Sequence, residues 1–212
     1  MLRRFAAGGA LAATVSLVAL TVLGVSAHAV EPDPPAQLIT ESEALGIAVR
    51  QRLEAPSKGM TDADEIDRDA LVQFYAARGN LLLWIDGTTM TPKARALIDE
   101  IARADDWGLR ARDFELPAGD LGAAPTKDAI ATAETQLSLA ALRYARYARG
   151  GRIPNPRDMS SYLDRDPQLV SPIKVLEQLA ATSDPGGYLA GLNPKHEQFQ
   201  RLRKKLLELR GV

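Results

Sequence analysis

Three aspartates lie close to a tryptophan near the middle of the chain. They are Asp105, Asp106 and Asp113, and the tryptophan is Trp107. A pair of carboxylates against an aromatic ring could supply the acidic groups for glycoside cleavage. Adjacent residues on a helix point about 100° apart, so Asp105 and Asp106 do not face each other. We therefore keep a carboxylate-dependent glycosidase as an alternative function and assign none of these aspartates as a catalytic residue.

The other side chains that could act as nucleophile or base are few. The chain has no cysteine and two histidines, His28 and His196. Without cysteine there is no disulfide, no thiolate metal site and no cysteine nucleophile. His196 has Glu197 beside it but no serine nearby, and a single histidine near a helix start is more often structural than a general base. We predict no catalytic residue, no metal site and no cofactor site in these residues.

A basic stripe is formed by four arginines that recur at every third position, Arg143, Arg146, Arg149 and Arg152. Guanidinium groups suit carboxylates, so the stripe is a possible contact with an anionic polymer or a partner domain. The alternative is a solvated face that the helix dipole favours, because cations are stabilised near the C-terminal end of a helix. The formal net charge of −1 argues against a nucleic-acid partner, which would demand a strongly positive surface.

The elements that must position these side chains are mainly helices. Apolar spacing, caps and breakers predict about six helices in an irregular all-α domain, with at most a very short β segment near Leu81–Ile85. Asp67 is the expected N-cap of a helix over about 68–78, and Ser57–Glu65 the loop before it. Thr91 and Thr126 are expected to cap two later helices, the second of which reaches Arg149. That helix is apolar on most sides between 137 and 148, which predicts a central position.

The N-terminus has the features of a secretory signal peptide. Arg3 and Arg4 precede an apolar run to Val25, and Ala27-His28-Ala29 is a small-x-small cleavage site. We expect residues 1–29 to be removed, 30–37 to be a proline-rich linker, and 38–212 to be one helical domain that is exported to the periplasm. No membrane span would remain after cleavage; the alternative is that the apolar run stays as an anchor.

A series of short motifs runs along the chain: Phe74-Tyr75, Arg78, Leu83-Trp84, Thr91-Pro92, Ala96-Leu97, Gly108-Leu109, Asp113-Phe114, Leu142-Arg143-Tyr144, Gly151-Arg152-Ile153, Pro194, His196, Phe199 and Leu202-Arg203. In their order and spacing these motifs resemble the scaffold domain of the large murein L,D-transpeptidases, over about Leu38 to Arg210. The resemblance implies a mostly helical exported domain that precedes a peptidoglycan-binding module and a catalytic domain.

The enzymes of that family cross-link peptidoglycan stem peptides through a cysteine acyl-enzyme, with a histidine base in a Ser-His-Gly-Cys type of motif. This chain has neither that motif nor a cysteine, so no family catalytic residue is carried over. We therefore expect a non-catalytic scaffold domain in peptidoglycan cross-linking or remodelling, truncated or split from its catalytic domain. Its partner would be peptidoglycan or a catalytic transpeptidase domain. A cell-wall glycosidase and a non-functional remnant stay as alternatives.

Overall fold

The computed structural model describes residues 40–211 except 57, 58 and 165. The predicted signal peptide (1–29) and proline-rich linker (30–37) lie outside the described residues. The described part is mainly α-helical, as predicted, with eight α-helices and a two-stranded sheet. In chain order these are α1 (Glu41–Glu54), α2 (Asp62–Ala77), β1 (Ile85–Asp86), β2 (Thr89–Met90), α3 (Pro92–Ala102), α4 (Lys127–Ala148), α5 (Pro156–Met159), α6 (Pro172–Ala181), α7 (Pro185–Gly191) and α8 (Glu197–Arg210). Two 3-10 helices, Ala104–Trp107 and Ala111–Asp113, lie between α3 and α4.

Hydroxyl side chains begin most of the longer helices. Thr40, Thr91, Thr126 and Ser171 each accept a hydrogen bond from the backbone N–H three residues further on. Such a bond satisfies an N–H group that has no partner within the helix. Proline follows the cap of α3 and of α6, where its missing N–H costs nothing. The caps predicted at Thr91 and Thr126 are confirmed.

The start of α2 differs from the prediction. Thr61 is the N-cap, and Asp64 forms a reciprocal capping box with it: the Asp64 N–H donates to the Thr61 hydroxyl, and the Thr61 N–H donates to the Asp64 carboxylate. The helix therefore begins at Asp62. The predicted loop was wrong from residue 62 onward, and the prediction of Asp67 as N-cap was wrong, because Asp67 lies buried inside the helix.

α4 occupies the centre of the fold, as its all-round apolar sequence predicted. It packs against α1, α2, α3, α6 and α7. Leu137 and Tyr144 of this helix are completely buried, and so are Tyr75 and Trp84 from elements packed around it. Six alanines of α4, including Ala140 and Ala141, are also buried and let the neighbouring helices approach closely.

A short β-hairpin lies between α2 and α3. Ile85 pairs with Met90 and Asp86 with Thr89, in antiparallel register. Gly87 in the turn has φ +57°, a conformation that glycine adopts without steric cost. β1 begins at Ile85, the last residue of the segment that we expected to be extended. The partner strand, β2, was not predicted.

α8 lies at the edge of the described fold, and none of its residues is buried. Its apolar stripe is largely open to solvent, with Leu202 71% and Leu209 76% exposed. The guanidinium of Arg203 stacks on the ring of Trp107 at 3.8 Å, and Arg210 pairs with Asp106 at 2.8 Å. These contacts dock α8 on the 3-10 helix after α3. Across the described residues, we find no helix that has both the length and the apolar character to cross a bilayer.

Candidate functional site

The first two arginines of the basic stripe contact α2. Arg146 lies 2.9 Å from the Asp64 carboxylate and 3.2 Å from that of Asp67. Arg143 lies 3.3 Å from Asp64. The side chains of Arg143 and Arg146 are only 27% and 13% exposed. These arginines therefore join α4 to the first two turns of α2.

The last two arginines of the stripe contact loops. The Nε–H of Arg149 donates to the carbonyl oxygen of Gln168 at 2.9 Å. Arg152 donates to the Asp113 carboxylate at 3.0 Å, and its side chain is 36% exposed. All four arginines thus have partners within the chain. The contacts of Arg149 and Arg152 lie at exposed positions, whereas those of the inner two arginines with Asp64 are partly buried. Contact of the stripe with a partner stays a prediction.

The two aspartates opposite the stripe have different environments. Burial would raise the pKa of Asp64, but hydrogen bonds from Thr61 and Arg146 and the charge of Arg143 outweigh it and lower this pKa. Burial raises the pKa of Asp67 to about 6, against the attraction of Arg146. Desolvation therefore dominates at Asp67 and hydrogen bonding at Asp64.

A pocket of about 260 Å³ opens beside this cluster, between α2, α4 and the start of α6. We call it the α2–α4 pocket. Asp67, Arg146 and Ser171 supply its polar lining, and the other lining residues are apolar. The full lining consists of Ala63, Ile66, Asp67, Leu142, Ala145, Arg146, Leu169, Val170, Ser171, Pro172 and Val175. It is a concave, mainly apolar site with a few polar groups, which is the usual composition of ligand pockets.

The aspartates near Trp107 are each bound to arginines. Asp105 and Asp106 both contact Arg210, at 3.8 and 2.8 Å. Asp113 contacts two other arginines, Arg110 at 3.2 Å and Arg152 at 3.0 Å. Two of the three carboxylates thus share one arginine, and the third is paired with two other arginines. Glycoside cleavage requires two carboxylates on either side of one bond, and these contacts do not provide that arrangement.

His196 is the N-cap of α8 and is exposed to solvent. Its Nδ1 accepts a hydrogen bond from the backbone N–H of Gln198 at 3.3 Å. This contact gives the imidazole a capping role. Within the described ranges, no three His, Asp or Glu side chains are grouped in a way that could hold a metal ion.

Sequence reasoning missed a fully buried carboxylate, Glu134 of α4. It accepts hydrogen bonds from the Tyr75 hydroxyl at 2.6 Å and from the backbone N–H groups of Leu83 and Trp84. Ser138, one turn further on, bonds to the same Tyr75 hydroxyl and accepts from the Trp84 indole at 2.9 Å. Burial raises the pKa of Glu134 to about 7.

A shifted pKa often marks a functional group. Glu134 is 0% exposed, however, so a substrate cannot reach it in this structure. Its function is to satisfy the backbone of the segment that leads into β1. Two polar residues one helical turn apart in an apolar helix, Glu134 and Ser138, are the signal that could have revealed it.

A second buried carboxylate, Glu100 of α3, was also missed. It accepts hydrogen bonds from the Trp107 indole at 2.9 Å and the Tyr144 hydroxyl at 2.8 Å, and Arg103 pairs with it at 3.1 Å. Asn193 donates to the same Tyr144 hydroxyl. Burial is the main cause that raises the pKa of Tyr144 well above its usual range. The cluster connects α3 to α4 and to the segment before α8.

The family model described as Scaffold domain matches residues 69–206, more than half of the chain. The chain therefore belongs to the Scaffold domain family, in agreement with its resemblance to the scaffold domain of L,D-transpeptidases. The match covers α3 to α7 and most of α2 and α8. Neither the curated proteins nor the solved structures contain a significant match.

Proposed function

We propose that this chain is a non-catalytic scaffold domain that acts in peptidoglycan cross-linking or remodelling in the periplasm. The observation that carries the proposal is the match to the Scaffold domain family over residues 69–206. Its partner is peptidoglycan or the catalytic domain of an L,D-transpeptidase. In this role the domain holds its partner in place, and a separate catalytic domain performs the acyl transfer.

The chemistry of the described residues supports a binding role. Acyl transfer through a covalent intermediate needs an activated nucleophile, and the sequence has no cysteine to supply a thiolate. The carboxylates near Trp107 are paired with arginines, and Glu134 and Glu100 are buried in hydrogen-bonded clusters. These acidic groups stabilise the fold.

The outer end of the basic stripe is the contact surface that we propose. Arg149 uses only its Nε–H in the described contacts, and Arg152 pairs with Asp113 at the protein surface. Their remaining N–H groups can donate to carboxylates of a wall peptide or of a partner domain. Arg143 and Arg146 are more buried and support this surface from within the fold.

Co-sedimentation with purified sacculi tests the surface. We expect an Arg149→Ala/Arg152→Ala double variant to bind roughly three- to tenfold more weakly, because exposed ion pairs contribute about 0–1 kcal/mol each. Arg201→Ala is the matched control, since Arg201 pairs with Glu197 on the exposed face of α8. Equal binding by the double variant and the control would remove the stripe from the proposed interface.

Capture of a purified L,D-transpeptidase catalytic domain is the second arm of the test, with the same three proteins. Binding that weakens only in the double variant would assign the surface to the partner domain. If the folded chain bound neither sacculi nor a catalytic domain, the scaffold role in the wall would be contradicted.

A further inference from the structure

An arginine at the C-terminal end of α2 has no polar partner within the described part of the chain. Arg78 is half-buried, yet its guanidinium forms neither an ion pair nor a hydrogen bond among the described residues. Its Nε is buried, whereas the two terminal nitrogens reach the surface. The other half-buried arginines of the described chain each contact a carboxylate or a carbonyl oxygen: Arg50, Arg68, Arg143, Arg146, Arg149 and Arg203. Since charges removed from water are normally paired, the terminal N–H groups of Arg78 are available to an anion from outside.

The ring of Phe74 places this guanidinium in the wall of a groove. The central carbon of the guanidinium lies 5.2 Å from the centroid of the ring, which is one helical turn earlier. A cation held over an aromatic ring keeps its N–H groups free for hydrogen bonds. Phe74 and Arg78 both line an open groove of about 610 Å³ between α2 and α6, which we call the α2–α6 groove. Arg78 also borders a pocket beside the hairpin, but Phe74 lines only the groove.

The other residues of the groove give it a mainly apolar wall. Small or branched aliphatic side chains form most of this wall: Ala77, Ile173, Ala180 and Ala181. Gln73 and Glu177, both exposed, add two side chains with oxygen acceptors. A concave site of this volume, with an apolar wall and a few polar groups, is typical of ligand pockets.

The charges of the groove restrict the ligand. A guanidinium matches the two oxygens of a carboxylate, which can accept from both terminal nitrogens of Arg78. Glu177 is the one acidic residue of the lining, so a phosphate or a dicarboxylate would bring a second negative charge that Glu177 repels. A single carboxylate on an aliphatic body meets the cation and the apolar wall. A backbone N–H in the same ligand can in addition donate to Glu177 or Gln73. The C-terminal end of a peptide combines these three groups.

We propose that the α2–α6 groove binds the C-terminal carboxylate of a peptide that ends in small aliphatic residues. The carboxylate accepts from the terminal N–H groups of Arg78, and the aliphatic side chains lie against Ile173 and the alanines. The site uses none of the arginines of the basic stripe. It therefore stands independently of the proposed wall-contact surface, and failure of one does not imply failure of the other.

An NMR titration of the isotope-labelled chain with the peptide N-acetyl-Val-Ala, which has a free carboxylate, tests the proposal. We expect saturable shifts of backbone signals in residues 73–78 and 173–181. The C-terminal amide of the same peptide lacks the charge, and we expect it to bind roughly tenfold more weakly, as for loss of a charge-assisted hydrogen bond. Equal binding of the two peptides, or shifts outside the groove, would overturn the proposal.

Isobutyrate separates a peptide from a simple carboxylic acid. It carries the same charge on an aliphatic body but has no backbone N–H. We expect it to bind more weakly than N-acetyl-Val-Ala, because it leaves the acceptors of Gln73 and Glu177 without a donor. Equal or tighter binding of isobutyrate would contradict the assignment of a peptide as the ligand.

Two variants locate the site. Arg78→Gln removes the charge without breaking an ion pair or a hydrogen bond among the described residues. We expect N-acetyl-Val-Ala to bind this variant roughly tenfold more weakly, while the affinity of the amide form is unchanged. Arg95→Gln is the matched control, since Arg95 is an exposed arginine of α3 that lines a different pocket. Ala77→Leu places a larger side chain in the groove at an exposed position, and we expect it to weaken the binding of both peptides.

The outcomes of the variants are decisive when thermal melting shows that each protein is folded. Full affinity of folded Arg78→Gln for N-acetyl-Val-Ala would contradict the proposed contact. An equal loss in Arg95→Gln would show that net charge alone attracts the peptide and would also contradict it. Unchanged affinity in folded Ala77→Leu would place the peptide outside the groove.

Discussion

Glu134 holds the segment before β1 against α4. Its carboxylate accepts from Tyr75, Leu83 and Trp84, and each of these donors lies at least 50 residues away along the chain. A carboxylate with no exposure is costly to ionise, even when several N–H and O–H groups surround it. This cost appears as the raised pKa of about 7.

The ionisation of Glu134 should make the protein less stable as pH rises. A free glutamate has lost its proton well below pH 7, whereas Glu134 in the folded protein retains it up to about that pH. Between the usual pKa of 4.5 and about 7 the folded state therefore binds more protons than the unfolded state, and rising pH favours unfolding. We expect this residue to contribute a decrease of about 3 kcal/mol in the free energy of unfolding across that window.

Urea unfolding at pH 4.5, 6 and 7.5 measures this effect when the unaltered chain is compared with Glu134→Gln. The glutamine carbonyl can still accept from Leu83 and Trp84, but it has no titration. The pH dependence should therefore be smaller in the variant. Asp67, whose pKa is also raised, titrates in both proteins, so the difference between them isolates Glu134. If the free energy of unfolding changed with pH by the same amount in both proteins, the raised pKa of Glu134 would be contradicted.

The burial of Trp84 and Leu142 in the core gives a second prediction about single residues. They are 0% and 2% exposed, so truncation to alanine removes buried apolar contacts and leaves a cavity. We expect Trp84→Ala or Leu142→Ala to lower the free energy of unfolding by about 2–5 kcal/mol. Leu202→Ala on α8 is the control, where we expect about 0.5 kcal/mol or less. Unchanged melting of both core variants would refute their placement in the core.

The role of a single residue could be predicted from the sequence only where it depends on neighbours along the chain. The spacing of Arg143 and Arg146 is visible in the sequence, but their partner Asp64 lies 79 and 82 residues away. Periodicity along one helix contains no information about which residues of another helix face it. The same limit hid the function of Glu134, because its donors are brought together only by the packing of α2 and the hairpin on α4.

Among the elements, α1 and the turn after α2 come unusually close together. Gly46 lies in the middle of α1, and a Cβ atom added there would overlap the backbone carbonyl of Asn80. Asn80 itself has φ +62°, a left-handed conformation that asparagine tolerates better than most residues. Glycine therefore serves here to let a helix pack directly on the backbone of a turn.

Gly46→Ala should destabilise the protein although alanine is the better helix former. The gain in helix propensity is about 1 kcal/mol, but the backbone of Asn80 cannot move aside as a flexible side chain could. We expect a net loss of about 1–3 kcal/mol in chemical denaturation. Gly191→Ala in α7 is the matched control, because a Cβ there meets nothing within 4 Å and should be neutral or stabilising. A stabilised Gly46→Ala would contradict the close contact.

Helices were predictable from the sequence in proportion to the strength of their local signals. Thr91 followed by proline is a strong signal for the start of α3, and the structure agrees. At α2 the preference of aspartate for caps pointed to Asp67, but the Thr61–Asp64 box begins the helix earlier. The apolar spacing of α8 correctly predicted a helix. It did not predict whether the apolar side is covered, since an amphipathic helix can pack on another molecule as well as on the core.

For the molecule as a whole, the central α4 and the helices packed around it form a supporting framework. Membership of the Scaffold domain family and the mainly helical fold agree with the resemblance found in the sequence. The surface that faces a partner was less predictable, because no partner residue is present to complement its charges and apolar groups. Its proposed component is the outer pair of arginines in the stripe, Arg149 and Arg152.

The most direct test of a non-catalytic scaffold role is incubation of the isolated chain with purified sacculi, followed by chromatography and mass spectrometry of the supernatant and the pellet. We predict that the muropeptide profile after incubation with the isolated chain matches that of a heat-denatured control. Soluble muropeptides released by the isolated chain, or new cross-links formed by it alone, would contradict the non-catalytic role.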